Sequence, residues 1–219
     1  MFTGAEALAY GAKIRARVPG YEAMHEMIAA ALLAALPAQA RLLVVGAGDG
    51  EDLLALARAA PGWRFVALDP EPDMIALARE RAERAGIAAR IGFHTGYTPD
   101  LGEAGFDAAT AILVGHFLAD DGGRSRFLTD IAAKLKPGGV LACADLMADL
   151  SPPGAYRAWL VAAGLDPVTL AKAEQRMAAE FHPVSERRLT DLLGEAGFTA
   201  PARLYQALGY AAYLSARPG

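Results

Sequence analysis

A glycine-rich turn and an acid that follows it are the residues of this chain best suited to chemistry. The apolar run 41–45 leads into Gly-Ala-Gly-Asp-Gly at 46–50, and a second apolar run ends on Asp69, 21 residues after Gly48. Glycines let a ligand approach the backbone closely because they carry no Cβ. An acid at the tip of the second strand of a strand–helix–strand unit can accept hydrogen bonds from a ribose diol. The spacing therefore predicts a site for an adenosine-type cofactor.

The order of glycines and acids indicates which cofactor to expect. A dinucleotide fingerprint, G-x-G-x-x-G, needs glycine at position 51, where the chain has Glu51. Asp49, Glu51 and Asp52 would also oppose a pyrophosphate at a helix N-terminus. The same acids suit the amine and sulfonium of S-adenosylmethionine (SAM), although Asp49 and Glu51 are equally well explained as ordinary acids of a first helical turn. No G-K-[ST] follows the glycines, which excludes a mononucleotide P-loop.

His116 is the one histidine that follows a predicted strand at the carboxyl edge of the sheet, beside the expected methyl group. It is a candidate general base that removes a proton from a hydroxyl or amine. The alternative is a polar residue that shapes the pocket and takes no proton. Because a sulfonium already makes its methyl group electrophilic, the cofactor carries the difficult chemistry. The sequence thus predicts the methyl donor more sharply than the acceptor.

The elements that must position these residues alternate along the chain as strand and helix. This alternation, followed by a terminal hairpin, predicts an α/β fold with a doubly wound, seven-stranded, mostly parallel sheet and an antiparallel C-terminal hairpin. The strands are predicted at 41–45, 64–68, 89–94, 106–114, 140–145, 199–206 and 210–216. Helices are predicted at 22–36, 50–59, 72–86, 125–135 and 185–197, with further helical residues between 150 and 181.

We expect one domain over 1–219, since this length suits a single α/β core. Its segments are an N-terminal helical lid (1–37), a cofactor-binding core (38–149), a helical cap over the carboxyl ends of the strands (150–181) and a C-terminal helix and hairpin (182–219). The oligomeric state is not readable from the sequence, although the N-terminal segment could cross to a neighbour in a homodimer.

Composition limits the classes of partner. Net charge is −4 and the basic residues are scattered, so no direct binding of nucleic acid is expected. The longest apolar stretch, 27–36, is half the length of a bilayer span, and no signal peptide is recognised, so no membrane association is expected. The single cysteine, Cys143, cannot form an internal disulfide, which favours a reducing cytoplasm. No metal site is predicted.

The chain resembles the class I SAM-dependent methyltransferases over nearly its whole length. The resemblance rests on Leu-Leu-Val-Val-Gly-Ala-Gly-Asp-Gly at 42–50, Val-Ala-Leu-Asp-Pro at 66–70 followed by Met74, and Leu-Lys-Pro-Gly-Gly-Val-Leu at 135–141. It implies a Rossmann-like methyltransferase fold and transfer of a methyl group from SAM to a small-molecule acceptor (an O- or N-nucleophile), leaving S-adenosylhomocysteine (SAH). The cofactor-binding residues carried over are Gly46, Ala47, Gly48, Asp69, Pro70, Met74, Tyr97, Thr98 and Leu113. Tyr97 stands where the family usually has an acid for the adenine amine.

A narrower resemblance is to the carboxy-SAM synthases of tRNA wobble-uridine modification. It rests on Arg-Ala-Arg-Val-Pro-Gly-Tyr at 15–21 and on the tail from 181 to 198, and it implies that Tyr21 touches the cofactor. The arginine that would hold the extra carboxylate falls near Glu174; Arg176 is two residues away, about 200° around a helix, on what we expect to be the wrong face.

The sequence is also compatible with a SAM-binding module that has no catalytic activity, because Tyr97 replaces the usual acid. A nicotinamide-dependent oxidoreductase is a third class of protein with this kind of fold. It would need the dinucleotide fingerprint together with a catalytic Tyr/Lys or His/Asp set, and neither is found in the sequence.

Overall fold

The structure is a computed structural model that describes residue 11 and residues 13–219. The other residues of the predicted lid, 1–10 and 12, lie outside the described part. Within it the strands are β1 Arg41–Val45, β2 Arg64–Asp69, β3 Ile91–Thr95, β4 Phe106–Ile112, β5 Leu135–Leu146, β6 Ala202–Ala207 and β7 Tyr210–Ala216. Numbered from Tyr21, the helices are α1 Tyr21–Ala35, α2 Glu51–Ala59, α3 Pro72–Arg84, α4 Gly123–Lys134, α5 Ala155–Ala162, α6 Pro167–Glu180 and α7 Glu186–Glu195.

The strands form one sheet in the order β3-β2-β1-β4-β5-β7-β6. β7 runs antiparallel to both of its neighbours, and the other pairs are parallel. The predicted α/β fold, with its terminal hairpin and helical cap, is confirmed. The strand order reverses beside β1, where β2 lies on one side and β4 on the other. Open α/β sheets bind ligands in the crevice at such a switch point, outside the carboxyl ends of the strands.

The sheet is covered on both faces, as its long apolar strands require. In β1, Leu42 and Val44 pack into one hydrophobic cluster with α1 and α2. Leu43 and Val45 point the other way, into the cluster that contains residues of α4 and α7. This burial on both faces holds the ends of β1, β2 and β4 in fixed relative positions.

Several strands differ from their predicted bounds, β6 among them, which begins at Ala202 rather than at 199; local contacts give the reason for β3 and β5. β3 starts at Ile91 rather than at 89, since 88–90 form a 3₁₀ turn. The guanidinium of Arg90 fixes that turn by donating to the carbonyls of Ala57, Ala60 and Trp63. β5 starts at Leu135, because Leu135 pairs with Phe106 before the ladder resumes with Val140 opposite Ala108. Residues 136–139, predicted as a turn before the strand, are therefore a bulge within it.

β4 ends at Ile112, two residues earlier than predicted, because Leu113 has a positive φ of 60°. A left-handed conformation costs a residue with a side chain about 1–2 kcal/mol. It is held here by a hydrogen bond from the Leu113 N–H to the Ala144 carbonyl at 2.6 Å. The bend turns the chain out of the sheet and leads into a 3₁₀ turn, Gly115–Phe117, that carries His116.

Two cap helices and one C-terminal helix follow β5. The carboxylate of Asp166 caps α6 by accepting from the Val168 and Thr169 N–H groups. The hydroxyl of Ser185 caps α7 by accepting from Arg188 N–H at 3.1 Å, as predicted. Asp and Ser are strongly favoured at such positions because they satisfy N–H groups that lack a helical partner.

Candidate functional site

A cleft of about 730 Å³ opens at the carboxyl ends of β1, β2 and β4. This volume lies within the range of about 300–1,000 Å³ that is usual for small-molecule and cofactor sites. Eight predicted cofactor-binding residues line it: Gly46, Gly48, Asp69, Pro70, Met74, Tyr97, Thr98 and Leu113. Ala47 and Tyr21 are not among the lining residues of the described chain.

The glycine turn is built so that its backbone faces open space. Gly46 has a φ of +69°, and a Cβ there would lie 2.3 Å from Val114 Cγ2. Gly48 has a φ of +52°, and a Cβ there would meet nothing within 4 Å, because the position faces the open cleft. A side chain at Gly48 would therefore occupy ligand space. The turn fits a nucleoside ligand held close to the backbone.

Asp69 links the glycine turn after β1 to the loop after β2. Its Oδ2 accepts from the Gly48 N–H at 2.9 Å, and its Oδ1 accepts from the Glu71 N–H at 2.9 Å. A carboxylate has about four acceptor sites, so each oxygen can still accept one ribose hydroxyl. Burial raises the pKa of Asp69, although these two backbone hydrogen bonds act in the opposite direction.

Asp49 and Glu51, the acids considered for the cofactor amine, are paired with arginines instead. Arg81 donates to Asp49 Oδ2 at 2.6 Å and to Glu51 Oε2 at 2.6 Å, and Arg15 also pairs with Glu51. Neither acid lines the cleft. Their charges are largely balanced within the protein, which favours the structural explanation over attraction of the cofactor.

The side of the cleft beyond β3 is lined by the exposed Tyr97 and by two residues of α4. Tyr97 is 65 % exposed, and its N–H donates to Asp100 Oδ2 at 2.8 Å, so the nearest acid is turned back onto its own loop. Phe127 and Asp130 of α4 line the same cleft. Neither was predicted from the sequence, because α4 lies about 30 residues after β3 and has no motif that links it to the cofactor.

Tyr21 is buried at the start of α1 rather than in the cleft. Its ring centroid lies 4.3 Å from that of His25, and the Arg15 guanidinium lies 5.4 Å from the ring. The resemblance predicts contact between Tyr21 and the cofactor. The described structure does not bring Tyr21 into the cleft, so this contact stays a prediction.

A second, smaller cavity of about 160 Å³ lies beside the cleft and is lined by His116. Leu113, Phe117 and Arg176 line both spaces, so the cavity and the cleft meet at these side chains. The remaining walls come from the segment 13–18, from the cap helices with Phe181, and from Tyr210. A ligand in the cleft and another in the cavity would therefore be neighbours.

His116 is held by a carboxylate in the wall of this cavity. Its Nδ1 lies 2.9 Å from Asp145 Oδ1, and its backbone N–H donates to the same oxygen at 3.0 Å. His116 is 3 % exposed and Asp145 is 7 % exposed. A hydrogen bond of Nδ1–H to Asp145 would leave Nε2 as the acceptor nitrogen of a residue that lines the cavity. Asp145 was not predicted, since it lies 29 residues after His116 on the neighbouring strand.

The neighbours of this pair leave the imidazole little freedom. A Cβ at Gly115 would lie 2.3 Å from Asp145 Oδ2, so glycine gives the carboxylate room to reach the ring. Phe117 and Phe181 pack on the imidazole with centroid distances of 4.5 and 4.4 Å. The buried Arg124 donates to the carbonyls of Leu118 and His182, which fixes both flanking loops.

The cap helix α6 presents Arg176, and not Glu174, to the site. Glu174 points outward and pairs with Arg157, whereas Arg176 lines both cavities. Glu174 and Arg176 lie on different faces of α6, as expected. The expectation that Arg176 faces away from the site is incorrect, because Arg176 is the one of the two that lines the cavities. The buried Leu170 and Ala173 and the cavity residue Met177 fix the inward face of α6 at 170, 173, 176 and 177.

Metal sites and membrane-spanning helices are both absent from the described residues. Residue 11 and residues 13–219 include no group of three or more His, Cys, Asp or Glu side chains placed to hold a metal ion. This part of the chain also has no helix with the length and apolar character needed to cross a bilayer.

Comparison with known families and proteins agrees with the cleft geometry. Residues 43–141 match the family model described as "Methyltransferase domain". The match covers less than half of the chain, and over this stretch the chain is similar to a methyltransferase domain. The stretch contains most of β1, all of β2 to β4 and the first part of β5, together with the glycine turn, Asp69 and His116. The cofactor of this class of domain is SAM, and the cleft provides the open turn and the acid that it requires.

Several curated relatives are O-methyltransferases that are longer than this chain. Nocamycin O-methyltransferase of Saccharothrix syringae is 29 % identical over 182 residues, which cover 80 % of this chain and 60 % of that protein. Erythromycin 3''-O-methyltransferase of Saccharopolyspora erythraea is 36 % identical over 118 residues, 52 % of this chain and 37 % of that protein. The chain thus spans less than two thirds of the length of these relatives.

Solved structures confirm the fold. Human N-acetylserotonin methyltransferase in complex with SAM has a TM-score of 0.69 at 17 % identity, covering 99 % of this chain and 57 % of that one. Mitomycin 7-O-methyltransferase has a TM-score of 0.68 at 24 % identity, covering 94 % of this chain and 57 % of that one.

Proposed function

We propose that the protein is a SAM-dependent O-methyltransferase that acts on a hydroxyl group of a small molecule. In this proposal the cleft holds SAM, and the cavity beside it holds the acceptor. Four relatives are named O-methyltransferases, which supports an oxygen acceptor over a nitrogen one; a fifth is a methyltransferase of ribosomal protein L11. The predicted cofactor-binding residues that line the cleft would contact SAM, with Asp69 accepting from the ribose hydroxyls.

The observation that carries the proposal is the pair of His116 and Asp145, of which His116 lines the cavity next to Phe117, a side chain shared with the cleft. SAM supplies a methyl group that is already activated by its sulfonium. In this proposal His116 Nε2 takes the proton of an acceptor hydroxyl. Asp145 orients the ring through Nδ1 and stabilises the imidazolium that results. The aromatic walls exclude water and align the acceptor, and positioning of this kind is worth roughly 7–11 kcal/mol of the barrier.

The proposal is tested by transfer of labelled methyl from SAM to a panel of small phenols and alcohols. We expect turnover of at least one acceptor, and an approximately tenfold lower kcat for Asp145→Asn. The amide can still accept from Nδ1–H, but a neutral acceptor stabilises the imidazolium less than a charged one. Asp120→Asn, which removes an exposed carboxylate paired with Arg188 away from both cavities, is the matched control.

The same assay separates the competing functions. A SAM-binding module without catalysis would bind SAH and transfer methyl to no acceptor. The relatives lend no support to the carboxy-SAM synthases, although the inward position of Arg176 leaves a cationic group beside the cleft. A cytoplasmic location, a homodimer and the bounds of lid and cap remain predictions. Helices α5 and α6 fall within the proposed cap.

A further inference from the structure

Three cationic side chains line the cavity beside His116. Lys13, Arg17 and Arg176 line it, and no Asp or Glu of the described residues does so. The chain as a whole has a net charge of −4, so this concentration of cations does not follow from overall composition. A small cavity with three cations at its walls favours an anionic ligand.

These cations keep hydrogen-bonding capacity for a ligand. In the described part of the chain, the side chains of Lys13 and Arg17 form no salt bridge. Arg176 pairs only through Nε, with Glu180 Oε2 at 2.7 Å, which leaves its terminal nitrogens for another acceptor. The backbone at Arg17 is fixed, since its carbonyl accepts from the Tyr156 hydroxyl at 2.8 Å. Arginine binds a carboxylate through two parallel hydrogen bonds when its terminal nitrogens are available.

The size and walls of the cavity limit the rest of the ligand. A dry apolar cavity of about 150 Å³ accommodates a benzene molecule, and this one has about 160 Å³. Phe117, Phe181 and Tyr156 supply aromatic walls, and Met177 and Leu113 supply aliphatic ones. Aromatic and thioether side chains pack favourably against a ring. The space fits one ring with small substituents.

We propose that the acceptor is a single-ring hydroxy acid whose carboxylate is bound by Arg176 and Arg17, with Lys13 adding positive charge. Its hydroxyl faces His116, and its ring lies between the aromatic walls. This inference rests on the proposed function, because it names the class of molecule that the same cavity accepts.

The test uses the SAH-loaded protein and matched pairs of probes. Calorimetry compares 3- and 4-hydroxybenzoate with 3- and 4-hydroxybenzamide, which have the same ring and hydroxyl but no charge. We expect at least one acid to bind about tenfold or more tightly than its amide, as hydrogen bonds to a charged group imply. Arg176→Gln and Arg17→Gln should each remove most of that preference. Lys172→Gln removes a charge from the same helix outside the cavity, and should retain it.

Three results would overturn the inference: equal affinity for acid and amide, binding of neither, or an Arg176→Gln variant that loses SAH affinity as strongly as acid affinity. The last would assign Arg176 to the cofactor. Methyl transfer is measured on the same probes. Transfer to amides as fast as to acids would overturn the inference and leave the proposed function intact. Preferential binding of an acid without any transfer would support the anion site and contradict the proposed function.

Discussion

The cofactor cleft and the acceptor cavity are built in different ways. The predicted part of the cleft is formed by short loops at the ends of neighbouring strands, and its two main features are bonded to each other through the Gly48 N–H and Asp69. The cavity is assembled from segments far apart in the chain: 13–18, 113–117, 156–181 and Tyr210. The cleft therefore depends on local sequence and sheet order, whereas the cavity depends on how the cap and the N-terminal segment pack.

This contrast explains why one SAM-binding scaffold can serve many acceptors. Residues at strand ends are fixed by a buried sheet, so a methyl donor bound in the cleft would be held in a constant position. The acceptor walls lie on elements that can change without disturbing that sheet. If the cleft and the cavity are independent in this way, substitutions in the cavity should leave cofactor affinity nearly unchanged. Substitutions in the cleft should likewise leave the properties of the cavity nearly unchanged.

The largest expected effect separates chemistry from cofactor binding. For His116→Ala we expect kcat to fall by roughly 10²–10⁴-fold, the usual contribution of a general base, with SAH affinity unchanged by calorimetry. His182→Ala is the matched control, because the exposed His182 contributes only backbone groups to this region. An unchanged kcat in His116→Ala would rule out His116 as the base.

The converse substitution acts on the cleft. For Asp69→Ala we expect SAM affinity to fall by about tenfold to a hundredfold, since two hydrogen bonds to a charged group are lost. Asp73→Ala, which removes an exposed acid near the same sheet edge, should bind SAM normally. Because burial raises the pKa of Asp69, wild-type affinity should begin to fall on acidification at a higher pH than an ordinary aspartate would give. Unchanged affinity in Asp69→Ala would defeat its assignment to the ribose.

The two regions also differ in how far the sequence predicts them. The glycine turn, Asp69 and the mostly parallel, seven-stranded sheet follow from strand–helix alternation and from the glycine-rich sequence after β1. His116 could be placed at the strand edge for the same reason. Asp145 could not, because its contact depends on the register between β4 and β5 and on the space at Gly115.

The cap shows a second limit of sequence reasoning. A helical period correctly separates the faces of Glu174 and Arg176, but it cannot tell which face turns inward. That choice is made by Leu170, Ala173 and Met177, which pack toward the protein. The pairing of Asp49 and Glu51 with Arg81 was missed for a similar reason, since Arg81 lies on the next helix.

A smaller effect, on SAH affinity, is expected from Asp130 on the side of the cleft beyond β3. Asp130 lines the cleft, while Tyr97 occupies the position of the usual acid, so we expect Asp130 to accept from the adenine amine. Asp130→Asn should weaken SAH binding roughly fivefold, the difference between a charged and a neutral acceptor. An SAH analogue with hypoxanthine in place of adenine lacks this amine. Wild type and Asp130→Asn should therefore bind this analogue with the same affinity. Equal losses for both ligands would show that Asp130 acts on the fold and not on the amine.

The smallest effect on activity is expected from Asp52, which lies in the first turn of α2 and lines neither cavity. It accepts from the Leu53 N–H at 2.8 Å and from the Thr110 hydroxyl at 3.4 Å, and burial raises its pKa to about 6. A carboxyl whose folded pKa is raised favours the folded state below its unfolded pKa of about 4, and that contribution is lost as pH rises through about 6. Asp52→Asn keeps an acceptor without this penalty. It should therefore be more stable than wild type by roughly 2–3 kcal/mol at pH 8, and by about 1 kcal/mol less at pH 5.

Urea unfolding at the two pH values measures this gap, with kcat and SAH affinity as controls. Asp100→Asn is not a suitable comparison, because Asp100 shapes the loop of Tyr97. Asp191→Asn, on the far helix α7, should show no pH-dependent gap. A gap that is the same at pH 5 and pH 8 would mean that Asp52 is ionised at both and that burial does not neutralise it. Activity that changes in parallel with stability would show that the base of the glycine turn is coupled to chemistry, and the separation of cleft from cavity would then fail at this residue.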